Sequence, residues 1–184
     1  ARMNGCAMPV VINSGSGNQG LTVSMPVKVY ADIYKIPHQR MIRALAVSNL
    51  VAIHQKKYIG SLSAYCGAVS AACGAGAAIA YLLGEDLTRK ALYRQMADTI
   101  TNTIATVGGM VCDGAKSSCA AKIASAVDAG LMGYHMYLHG GHQFVGGEGI
   151  VKKGVEKTID SVGRLARQGM RQTDEEILDI MVGR

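Results

Sequence analysis

A chain of 184 residues with 49% hydrophobic and 17% charged residues can close a core without disulfides or a structural metal, which sets aside the disordered and disulfide-stapled classes. The formal charge of +6 comes from Lys and Arg dispersed along the chain, with no basic run interleaved with stacking aromatics, so nucleic acid is not an expected partner. The 5 cysteines are odd in number and not densely spaced, which reads as reduced thiols of a cytoplasmic protein, and nothing resembles a signal peptide.

Trp is absent and Phe occurs once, so the interior must be filled by Ala, Val, Ile, Leu and Met, a composition that favours closely spaced helices. The chain opens on Ala1-Arg2-Met3-Asn4-Gly5-Cys6, which reads as interior sequence from a longer protein. After the apolar Ala7 to Ile12, the segment Asn13-Ser14-Gly15-Ser16-Gly17-Asn18-Gln19-Gly20 has the Gly and Ser/Asn density of a loop. Leu21 to Tyr34 can be helical, with Pro26 forcing a late start or a kink. Pro37 suits the first turn of the next helix, carried to about residue 58 by Ile42, Leu45, Ala46, Leu50 and Ile53.

Ser61 to Leu83 contains no charge and is long enough to span hydrocarbon, but it is mostly Ala, Gly, Ser and Cys. These residues give little transfer energy to lipid and let helices approach closely, so a buried helix closed by Gly84 is expected rather than a membrane span. Asp86 fits the N-cap of a helix carrying Leu87, Ala91, Tyr93, Met96, Ile100, Ile104 and Val107. Ala120 to about Leu138 reads as another helix, followed by a glycine-rich loop over 139–149. Val151, Val155, Ile159, Val162 and Leu165 mark a penultimate helix, and Thr173-Asp174-Glu175-Glu176 has the form of a capping box opening a last one. Strands are not evident. The expectation is one all-α domain over 1–184, compact, with a small-residue central helix and Gly-rich loops.

Cys112 and Cys119 bracket a turn-like segment, and Cys73 lies on the small-residue helix. A close pair plus one remote thiol can hold three corners of an iron-sulfur cluster and leave the fourth iron open to a substrate. The same cysteines can also pack simply as small hydrophobes, and Cys6 and Cys66 can be further ligands or core residues. Zinc fits less well, because a structural site wants four ligands and no convincing CxxC or HxxxH pair supplies them. Lys116, between Cys112 and Cys119, is the candidate base if desolvation lowers its pKa, or else a solvated turn lysine. His54 can assist or be structural, and His135, His139 and His142, with Glu148 beyond, are spaced too loosely for a metal site. The loop Ser14, Gly15, Ser16, Gly17 and Asn18 can turn backbone N–H groups toward a substrate carboxylate, or be an ordinary surface turn.

Several separated motifs carry a resemblance. Asn4-Gly5-Cys6-Ala7-Met8-Pro9, the loop Asn13 to Gly20, Cys112-Asp113-Gly114-Ala115-Lys116 and the tail Thr173-Asp174 with Ile177-Leu178-Asp179-Ile180-Met181 resemble the C-terminal part of the L-cysteine desulfidase family. That family is related to the alpha region of iron-sulfur L-serine dehydratases. The resemblance implies a 4Fe-4S enzyme that eliminates the β-substituent of a small amino acid, giving pyruvate and ammonia with hydrogen sulfide from cysteine or water from serine. It also implies Cys73, Cys112 and Cys119 as cluster ligands, a homo-oligomer, and contact with an N-terminal portion lying outside this chain. The serine dehydratase branch has a longer insert beginning Cys-Asp-Pro, whereas this chain has the short Cys112-Asp113-Gly114 form, which favours the desulfidase branch. A non-catalytic helical module that uses its small-residue helices for association is the rival from another class.

Overall fold

The computed structural model describes residues 1–140, 144 and 148–184. Its elements are α1 (Gly17–Ile33), α2 (His38–Ile59), α3 (Gly67–Leu83), α4 (Arg89–Val107), α5 (Cys119–Leu138), α6 (Val155–Arg164) and α7 (Arg171–Val182), preceded by a 3-10 turn over Arg2–Asn4. A π-type segment, Leu165–Gly169, joins α6 to α7. No strand occurs among the described residues, and the fold is all-α. Much of the glycine-rich stretch, including His142, lies outside the described residues.

The small-residue segment is the hub. Every residue from Ala68 to Ala80 is buried, and α3 packs against α1, α2, α4 and α5. Such an enclosed helix must lack bulk on all sides. At Gly74 a Cβ would lie 2.4 Å from the Ser48 carbonyl oxygen of α2, so the two backbones are closer than any side chain allows. Close approach also lets side chains bond directly to neighbouring backbones. Ser48 donates to the Val23 carbonyl at 2.7 Å, and the Asn102 amide donates to the Gly133 carbonyl at 3.0 Å, linking α2 to α1 and α4 to α5. No helix among the described residues is long and apolar enough to cross a membrane.

Three helix starts differ from the sequence-based expectation. Helix α1 begins at Gly17, with Pro26 inside it. Ser16 caps it by accepting the Gln19 N–H at 3.1 Å, and Val23, Val27 and Ala31 are buried. Cap and burial together offset the hydrogen bond that Pro26 cannot donate. Helix α4 is capped by Thr88, whose hydroxyl accepts from the Ala91 N–H, rather than by Asp86. Thr173 lies inside α7, because the π segment carries the chain through Met170 into the helix without a new cap.

Candidate active site

Three helix N-termini converge on one pocket of about 210 Å³. Ser16 is the N-cap of α1, Cys66 the N-cap of α3, and Cys119 the first residue of α5, and all three line it. Each helix start carries unbonded N–H groups and the positive end of a dipole, so the pocket favours carboxylates and thiolates.

The loop before α1 is built for this position. Asn13 and Ser16 exchange backbone hydrogen bonds at 3.2 and 3.3 Å, and both central residues, Ser14 and Gly15, have positive φ (52° and 117°), as in a type I′ turn. The turn delivers Gly15, Ser16, Asn18 and Gln19 to the pocket wall, while Ser14 and Gly17 shape the loop behind them. Asn18 is oriented by the Arg2 guanidinium, which donates to its Oδ1 at 2.7 Å. Gln19 is buried with its Oε1 unpartnered, so the wall holds an acceptor in want of a donor.

Three thiols face this space: Cys66, Cys112 and Cys119. The first two are clamped by a short antiparallel bridge. The Cys66 N–H donates to the Met110 carbonyl at 3.0 Å and the Cys112 N–H to the Ala64 carbonyl at 2.6 Å. A hydrogen bond from Cys66 lowers Cys112 to about 5, helped by the Gly114 N–H and by the ammonium groups of Lys122 and Lys56, against the opposing effect of burial. As the donor of that bond, and through burial, Cys66 is held protonated. These effects favour the thiolate of Cys112, the form that binds iron. Among the described residues no three His, Cys, Asp or Glu side chains close around a single metal ion. A cluster makes a different demand, since each cysteine binds a different iron and the sulfurs stand farther apart than the ligands of one ion. Three thiols at one pocket, with lysines beside them that favour the thiolate form, are a donor set that fits an iron-sulfur group.

Cys73 is not brought here. It lies about 10 Å along α3 from Cys66, a separation of seven helical residues, and is fully buried with its Sγ 3.9 Å from the Ile100 carbonyl oxygen. Burial pushes its thiol up to about 12. It packs as a core residue, and Cys66 stands where the sequence reading placed Cys73. Lys116 is likewise displaced: its ammonium pairs with the Asp113 carboxylate on the outer side of the turn and does not line the pocket. The lysines that do are Lys122 and Lys56. Lys122 is tied to the Asp113 carboxylate at 2.5 Å and the Val111 carbonyl at 2.9 Å. Lys56, in the last turn of α2, has no hydrogen bond or ion pair among the described residues, and burial lowers its pKa.

The remaining candidates lie elsewhere. His54 pairs with Glu156 at 2.8 Å, and His135 stacks on His139 near the far end of α5, with ring centroids 6.0 Å apart. Cys6 is exposed near the chain start and does not line the pocket. Glu148 sits in an exposed bend.

The pocket combines clustered thiols with a helix-terminus anion site, and the chain matches the serine dehydratase alpha chain family over residues 1–179. It is a member of that serine dehydratase-like lyase family. Its relatives include UPF0597 proteins from Lachnoclostridium phytofermentans (57% identical), Treponema denticola (55%) and Desulfitobacterium hafniense (54%). Each match covers 99% of this chain but only 41 to 42% of the relative, so the chain spans about two fifths of their length. No solved structure matches it.

Proposed function

We propose that this chain carries the cluster pocket of an iron-sulfur-dependent lyase that converts L-cysteine to pyruvate, ammonia and hydrogen sulfide. The observation that supports it is the meeting of Cys66, Cys112 and Cys119 with the Ser16 to Gln19 helix start in one small pocket. These cysteines would hold a 4Fe-4S cluster. Such a cluster, with one iron free of protein ligands, supplies a Lewis acid for the leaving sulfur or oxygen.

The chain's own groups do the rest. The start of α1 and the Ser16 and Asn18 side chains receive the substrate carboxylate. The unpartnered Gln19 Oε1 accepts from the α-ammonium group. Lys56, a lysine whose ammonium form burial disfavours, takes the α-proton. The C–H electrons form the Cα–Cβ double bond as the Cβ–S bond breaks and hydrosulfide leaves; the resulting 2-aminoacrylate tautomerises and is hydrolysed to pyruvate and ammonia. The second reading, elimination of water from L-serine, is favoured by the family match itself.

The test is an anaerobic assay of reconstituted full-length protein with L-cysteine beside L-serine. Pyruvate and sulfide in equal amounts from cysteine, at a kcat/KM at least about tenfold above that for serine, is the expected result. Preference for serine would select the second reading, and pyruvate from neither would end both. Lys56→Met is expected to lower kcat by roughly 10²-fold or more while leaving the visible absorption of the cluster in place. Lys116→Met, outside the pocket, is expected to retain most activity.

A further inference from the structure

A cavity larger than the thiol pocket lies away from the thiols. It is an open cleft of about 630 Å³ between the C-terminal half of α2 and the α6–π segment, and its lining includes Lys57, Tyr58, Asp160, Arg164, Arg167 and Gln168. The lining holds three permanent cations against one carboxylate; His54, at its edge, is already paired with Glu156.

The cations are held together by the fold. Gly163 lets α6 press onto α2 so closely that a Cβ would sit 2.4 Å from the Cβ of Tyr58. The Arg167 guanidinium donates to the Lys57 carbonyl at 2.6 Å, which satisfies an end carbonyl of α2 and anchors the arginine beside the cleft. Arg164 and Gln168 face both this cleft and a neighbouring hollow of about 510 Å³ that contains Lys152. The Lys57 ammonium and the Arg164 guanidinium have no hydrogen bond or ion pair among the described residues. Three cations facing one cleft with a single carboxylate leave an excess of positive charge that attracts anions, and guanidinium forks match the oxygens of phosphate in particular. The cavity is also of the size that ligand sites occupy.

We infer that this cleft binds a small, multiply charged anion of the phosphate class, bridged by Lys57, Arg164 and Arg167. The site is separate from the thiol pocket, and its test does not depend on catalysis. Inorganic pyrophosphate is titrated into the full-length protein at low salt and followed by calorimetry. Binding is expected to weaken at least about tenfold in Lys57→Gln and in Arg164→Gln, the size of one lost charge-assisted contact. The charge-matched pair Arg89→Gln and Lys90→Gln, on α4, controls for net charge and is expected to change affinity less than roughly twofold. Both cleft positions are exposed, so unfolding is not expected, and an unchanged melting curve verifies it. The inference is overturned if pyrophosphate does not bind, if the α4 control weakens binding as much as the cleft variants, or if only the 184-residue chain binds, since the rest of the protein would then cover the cleft. Recruitment to phosphatidic-acid vesicles with no binding of free pyrophosphate would overturn it in favour of a lipid surface.

Discussion

Cys66→Ser is expected to abolish stable cluster incorporation in the full-length protein, while Cys73→Ser keeps it. Cys66 lies at the mouth of α3 beside Cys112, locked there by the bridge between Tyr65 and Val111. Removing its sulfur deletes one thiolate donor of three, and the hydroxyl that replaces it can still donate to Cys112 but is a poor ligand for cluster iron. Loss of an outer partner of a metal site already costs about 10 to 100-fold in affinity, so loss of a ligand should reduce iron retained per chain by at least that much. Cys73 is two helical turns deeper, and a serine there finds the Ile100 carbonyl as an acceptor. Its cost is one of stability, about 1 to 2 kcal/mol for burying a hydroxyl with a single partner. Iron and sulfide analysis after anaerobic reconstitution, with visible absorption, separates the two. A colourless Cys73→Ser beside a coloured Cys66→Ser would restore Cys73 as the ligand and dismiss the pocket described here.

That exchange of cysteines shows which parts of this protein are legible in its residues. The helices of the core are legible where the periodic apolar stripe is the buried one, as with Ile100 and Ile104 on α4 and Val155, Ile159 and Val162 on α6; on α2, Ile42, Leu50 and Ile53 show the helical period but are exposed, and Ala44, Ser48, Ala52, Gln55 and Ile59 face the core instead. The small-residue composition of 62–83 also foretells its central position. What the composition hides is where that helix begins. A segment made mostly of Ala, Gly, Ser and Cys, with no charged residue, has no clear boundary, yet the start decides everything: a thiol at the N-cap faces a pocket, and one seven residues later faces the core. The cue is Gly67, directly after Cys66, at the first helical position. The two lysines pose the same question of phase. Ala52, Gln55 and Ile59 form the buried stripe of α2, which places Lys56 beside the interior and Lys57 in solvent. Proximity in sequence to Cys112 pointed to Lys116 instead, but a turn exposes what a helix flank half-buries. The loop Asn13 to Gly20 was legible as a turn, though Gly17 to Gly20 are its helical continuation once Ser16 caps α1.

Gly74→Ala should destabilise the protein sharply, although alanine is the better helix former by about 1 kcal/mol. The added Cβ would meet the Ser48 carbonyl oxygen at 2.4 Å and its carbon at 3.2 Å. Both belong to the backbone of α2, so no side chain can swing aside and the two helices must separate. Overpacking of this kind costs about 1 to 3 kcal/mol, and for a chain of this size each kcal/mol lowers Tm by roughly 2 to 4 °C. Gly109→Ala is the control, since nothing lies within 4 Å of its Cβ position, and it should leave Tm nearly unchanged. Ser48 also donates to Val23 of α1, so α1, α2 and α3 are fastened to one another at this point. Those helices carry Asn18 and Gln19, Lys56, and Cys66 to the pocket. Displacing them at the Gly74 crossing should therefore loosen cluster retention as well as lower Tm, whereas Gly109→Ala should alter neither. A Gly74→Ala protein with the Tm and iron content of the parent would mean that α2 and α3 do not cross as closely as described, and the positions of Lys56 and Cys66 would have to be redrawn with them.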